Sequence, residues 1–240
     1  MTTSTRRLRR SDVVDTALQI LARVGLPDLT MRALGTELGV QQSALYHHVE
    51  NKQALLGAVA DEILARGPRR RARKDDTWQD RVRRRCEDLH AAVTAYPDGA
   101  DVVMSMWAFG MGGDAPFVEL RELLTEAGLP AEEAATAART LLHFVYGHAY
   151  AEQSHAHARR LGVVSDGAPD DFATGLAIVV AGVDPRLSEG VRPSPRRGPD
   201  SGPRVAAVRT PRRPPSRRTP RRRPRGGRAS GPRRGPAGTG

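Results

Sequence analysis

The run LTMRALGTELGVQQSALYHHVENKQAL, residues 29–55, decides how this chain folds. Thr30 is a good N-cap for a short helix over 30–38, and a second short helix is expected over 42–48. Between them Leu38-Gly39-Val40 makes a tight turn, with Gly39 free to take a positive φ because it has no Cβ to clash. Two short helices joined this way form a helix-turn-helix. Leu34, Leu38, Val40 and Leu45 are expected to pack the pair together, and Gly35 is small where the helices cross closest.

Upstream, Val14, Ala17, Leu18, Leu21 and Val24 recur at spacings of three and four, one face of a helix starting at a Ser11 cap and stopped by Gly25. Downstream, Asn51 caps a helix over 52–66, ended by Gly67-Pro68. Residues 1–66 thus read as one helical domain. The charged run RRRARKDD (69–76) follows within a connector, 67–76, expected to be solvated. Residues 77–184 read as a second, larger helical domain. Its helices are expected over 78–96, 118–127, 132–160 and 171–183, with a short helix and a glycine-rich loop within 100–117. Pro97-Asp98-Gly99 makes a turn. The fold class is all-α.

From residue 185 the periodicity stops. Twelve of the eighteen prolines lie there, and 186–240 holds 17 Arg against Glu189 and Asp200, a net +15. The rest of the chain carries 21 basic and 25 acidic residues, a net −4. Such a tail buries too little apolar area to offset its ordering entropy, so 185–240 is expected to be disordered.

Composition excludes several classes. No apolar run approaches the length of a membrane span, and the basic N-terminus leads into a charged helix rather than a signal sequence. The lone Cys86 allows no internal disulfide, so a cytoplasmic protein is expected. Three arginines precede Cys86, which could activate its thiol, although a plain half-buried cysteine explains it as well. No phosphate loop, nucleophile elbow or carboxylate pair marks a catalytic site. No pair among His143, His148, His155 and His157 has the i, i+4 spacing that sets two imidazoles on one helical face, so neither metal nor cofactor is expected.

On the helix-turn-helix, Gln42 and Ser43 stand near the start of the second helix, where side chains meet base edges, and Gln suits adenine. Tyr46, His48 and Lys52 can reach phosphates. Residues 1–66 resemble the DNA-binding domain of the TetR (tetracycline-repressor) family, above all in ALYHHVENKQALL (44–56). More weakly, TWQDRVRRRCEDL (77–89), AYPDGADVV (95–103), LLHFVYGHAYAEQ (141–153) and DFATGLAIVVAG (171–182) are similar to the regulatory core of the tetracycline-repressor branch. The resemblance implies a homodimeric regulator of double-stranded operator DNA, released by a small-molecule inducer. It also places Arg32 among the DNA contacts with Gln42, Ser43, Tyr46, His48 and Lys52.

Toward the ligand, the resemblance departs from the tetracycline pattern. The positions that serve the drug-bound magnesium in that branch correspond, aligned without gaps, to Val103 and Ala151, although Glu152 lies one residue away. Those that grip the drug's polar edge correspond to Pro68, Arg85, Met106 and Trp107. A ligand other than tetracycline–magnesium is therefore expected, bound among Arg85, Leu89, Val103, Met106, Trp107, Phe109, Phe117, His143 and Tyr146. Plain core packing explains any single one of these equally well. His143, between Leu142 and Phe144, is expected inside the core or pocket. The competing reading is a nonspecific nucleic-acid binder acting through its arginine-rich tail.

Overall fold

A computed structural model describes residues 8–167 and 170–183, which all fall within one compact unit. The proposed tail lies outside the described residues. Among the described residues there are nine helices and no strand.

Helix α1 (Arg10–Val24) begins one residue before the expected Ser11 cap, because Asp12 turns back and accepts a hydrogen bond from the Arg9 amide at 2.8 Å. Its apolar stripe, Val14, Ala17, Leu18 and Leu21, is buried. Helix α2 (Met31–Leu38) is capped by Thr30, whose hydroxyl accepts from the Ala33 amide at 3.0 Å. Gly39 ends it in the left-handed region at φ 66°. A Cβ on Gly35 would stand 3.0 Å from the Val40 carbonyl oxygen, which is why the helices can approach so closely there. Helix α3 spans only Gln42–Leu45. The expected continuation to residue 48 is a turn in which the His48 and Val49 amides both donate to the Leu45 carbonyl. Helix α4 (Lys52–Arg66) is capped by Asn51, which accepts from Ala54 at 2.8 Å.

The larger part comprises α5 (Trp78–Thr94), α6 (Gly99–Ala108), α7 (Ala115–Glu126), α8 (Ala131–Arg160) and α9 (Phe172–Gly182). Helix α7 starts three residues earlier than the periodicity suggests, with Pro116 in its first turn, where a missing N–H costs nothing. Helices α5, α7 and α8 pack together over a core that includes Leu89, Leu120, Leu124, Leu141, Leu142 and Tyr146.

The two parts are fastened together. Helix α4 packs on α6 as well as on α1. At the crossing, a Cβ on Gly57 would overlap the Met111 carbonyl oxygen, and one on Gly112 would come within 2.7 Å of the Gly57 carbonyl oxygen. Backbone meets backbone there, which explains a glycine in the middle of a helix. Asp61 accepts from the Gly113 amide at 2.8 Å beside this crossing. On the other side Asp98, itself left-handed at φ 58°, accepts from the Leu26 amide at 2.8 Å.

Candidate functional site

The helix-turn-helix presents its polar residues outward. Leu34, Leu45 and Val49 are buried beneath it, while Gln41, Gln42, Ser43, Tyr46 and His47 are exposed. Gln42 Nε2 donates to the Tyr46 hydroxyl at 3.1 Å, one turn along, so the two form a linked polar pair. Arg32 is exposed on α2, while Ala44, His48 and Lys52 are half-buried at the edge of the same surface. This is an exposed face of donors and acceptors on a buried apolar support, the arrangement by which a helix-turn-helix reads a groove.

The regulatory part gathers Trp107 against Phe117, His143 and Tyr146, with ring centroids 6.4, 5.6 and 5.9 Å away. The guanidinium groups of Arg121 and Arg139 each lie 5.8 Å from the Phe117 ring. Leu89, Val103 and Met106 are buried in the same core. The Tyr146 hydroxyl is buried without a hydrogen-bond partner, and burial pushes its ionisation well above the usual phenol range. Arg85 Nη2 is likewise buried and unpartnered, although the guanidinium pairs with Glu119 through Nε. One of the expected residues stands elsewhere: Phe109 is 69% exposed at the end of α6, apart from the cluster. His143 reaches the cluster through Trp107 but is exposed rather than interior, and its apolar sequence neighbours Leu142 and Phe144 point to other faces of α8.

The connector is exposed over 69–75, as expected, but it is pinned to α5. Buried Asp88 accepts from the Arg70 amide at 3.0 Å and from its guanidinium at 2.5 Å, and Glu87 takes a third bond at 2.9 Å. Asp76 meets Arg84 at 2.7 Å; this pairing, with the Arg73 amide, holds the Asp76 carboxyl below the usual carboxylate range. Cys86 is not activated by its arginines. It is fully buried, and burial pushes its thiol up to about 12.

The fold assembles between helices a cluster that spacing along α8 alone does not show. One ligating atom from each of His90 on α5 and His148 and Glu152 on α8 falls within 4.8 Å of the others. His148 and Glu152 are four residues apart, one turn of α8. Burial lowers the His90 imidazole from its ordinary value, and His148 adds to this while Glu152 opposes it.

A helix-turn-helix with an exposed reading face, backed by a larger helical core, defines a DNA-binding transcriptional regulator. Residues 13–59 match the model for bacterial regulatory proteins of the tetR family, and 72–163 match the tetracyclin repressor-like C-terminal domain. The class A tetracycline repressor from transposon 1721 of Escherichia coli is 33% identical over 220 residues, covering 81% of this chain and 99% of that protein. The crystal structure of Mycobacterium smegmatis BioQ matches with a TM-score of 0.68 at 35% identity, covering 74% of this chain and 98% of that one. BioQ with its natural double-stranded DNA operator matches at 0.63 with 34% identity, covering 74% and 99%. Streptomyces coelicolor ActR in complex with (S)-DNPA matches at 0.62 with 28% identity, covering 74% and 97%. The chain belongs to the TetR family.

Proposed function

We propose that this chain is a cytoplasmic, homodimeric repressor that a small organic ligand, other than tetracycline–magnesium, releases from its operator. The observation that carries this reading is the outward Gln42–Tyr46 pair on a helix-turn-helix whose supporting helix α4 packs on α6 and meets, at Gly57, the backbone of Gly112 in the loop that follows α6. This close backbone contact is a route by which a change in α6 and its loop would displace α4.

Further support comes from the relatives. BioQ has been crystallised on an operator, and ActR with a small organic molecule. Tyr146 offers an unpartnered buried hydroxyl against Trp107, and Arg85 a buried unpartnered nitrogen, the polar-in-apolar setting that fixes a ligand's orientation. Val103 and Ala151 can supply no ligand to magnesium. For the homodimer, α9 is an apolar helix that buries only Leu176 and Val180 and leaves Ile178 68% exposed, and α8, on which it packs, exposes Tyr150. No helix among the described residues is long and apolar enough to cross a membrane.

The test is a footprint on the DNA upstream of the chain's own gene, with the full-length protein and a version ending at Pro185. Protection of one two-fold-symmetric site by both supports the reading. Indiscriminate coating by the full-length protein, with no protection by the shorter one, assigns binding to the arginine-rich segment and overturns it.

A further inference from the structure

We propose that His90, His148 and Glu152 form a binding site for a divalent transition metal, zinc foremost, at the junction of α5, α8 and the start of α9. It is distinct from the helix-turn-helix surface and from the Trp107 cluster. The ligand types are those zinc takes: two imidazoles and a carboxylate, with ligating atoms within 4.8 Å of one another. Bonds of the usual zinc length set tetrahedral ligands about 3.4 Å apart. His148 and Glu152, four residues apart, already share one face of α8.

One nitrogen in the cluster lacks a partner altogether: His148 Nδ1 is buried and makes no hydrogen bond. His90 Nε2, also buried, faces Glu152 Oε2 at 3.1 Å, so an imidazole and a carboxylate of the set already stand side by side. Unpartnered buried nitrogens are rare unless something else is meant to meet them. The opposite edge of His148 is held: Nε2 lies 3.0 Å from Asp171 Oδ1, at the N-terminus of α9. A carboxylate on one ring nitrogen with the other left free is how metal-ligating imidazoles are oriented.

The surroundings fit as well. Phe172 stacks on His90 at 4.0 Å and meets His148 edge-on at 5.1 Å, while Phe144 lies 6.0 Å from His148. These rings wall one side of the site. Glu152 and Asp171 keep 45% and 67% of their side-chain surface exposed and provide the entry from solvent.

The experiment is equilibrium dialysis of the metal-stripped full-length chain against zinc alone, with cobalt substitution to report coordination geometry. The competing donors are the five other histidines, His47, His48, His143, His155 and His157, since the single cysteine is buried, and His157→Ala controls for them. The expected result is one zinc per chain, a tetrahedral cobalt spectrum, and a melting temperature that rises with zinc. Affinity should fall roughly tenfold or more in His148→Ala and in Glu152→Gln, and stay unchanged in His157→Ala. Glu152 is exposed enough that Glu152→Gln reads out even if His148→Ala fails to fold. No stoichiometric uptake, or uptake unchanged by Glu152→Gln, overturns the site.

Discussion

At the scale of single residues, the division of labour on the helix-turn-helix is open to direct test. Gln42 is exposed near the start of α3 and anchored by Tyr46, so its amide is presented at a fixed angle. Gln42→Ala should cost about 1–3 kcal/mol on the preferred site and relax the preference at one base position. Lys52→Ala should weaken specific and random DNA alike and reduce the salt slope by about one. Equal losses for both variants on both kinds of DNA would remove the distinction between reader and phosphate contact. Cys86 offers a second test. Its thiol sits at about 12 because burial disfavours the thiolate, so alkylation at neutral pH should follow the rate of unfolding. Rapid labelling of the folded chain would show that the thiol is reachable.

At the scale of elements, two contacts matter more than their sequence context implies. The Gly57–Gly112 crossing leaves no room for a methyl group, and its obstacle is a backbone oxygen that cannot rotate away. Gly57→Ala should destabilise the chain by about 1–3 kcal/mol and weaken any ligand's effect on DNA binding, measured by urea unfolding and by titration on the operator. An alanine variant with unchanged stability and unchanged ligand response would show that α4 and the loop after α6 move independently. The connector is governed by Asp88, which holds both the amide and the guanidinium of Arg70. Asp88→Ala should cost about 2 kcal/mol, since hydrogen bonds to a charged group are lost while Arg70 returns to water. Asp76 adds a pH dependence of defined sign. Its carboxyl titrates lower in the folded chain than in the unfolded one, so its contribution is complete above the ordinary carboxylate range. It is lost as acidification passes through the lower native value.

For the whole molecule, the proposed ligand response is a coupling between two sites and must be reciprocal. Whatever factor the ligand takes from operator affinity, the operator must take from ligand affinity. Isothermal titration of ligand with and without a saturating operator duplex measures this directly. A ligand that lowers operator affinity while binding the DNA complex as tightly as the free protein would contradict a shared two-state change.

Much of this architecture was legible in the chain itself, because local signals coincide with periodicity. Thr30, Gly39 and Asn51 act as caps and turn wherever the backbone takes them, so the helix-turn-helix and the length of α4 follow from neighbours within a few residues. The long apolar rhythm of α8 is of the same kind. What periodicity could not reveal depends on pairs far apart in sequence. Gly57 looks like a defect in a helix until Met111 and Gly112 arrive against it. Asp98 looks like turn punctuation until Leu26 donates to it. His143, flanked by apolar neighbours, looks interior, yet the helical rotation turns it outward. His148 finds no partner of its own kind on α8, and only the packing of α5 brings His90 within reach. Hydrogen bonding along a helix is a local matter that sequence alone determined. Which faces meet is set by burial and close approach between distant segments, and only the tertiary structure decided that.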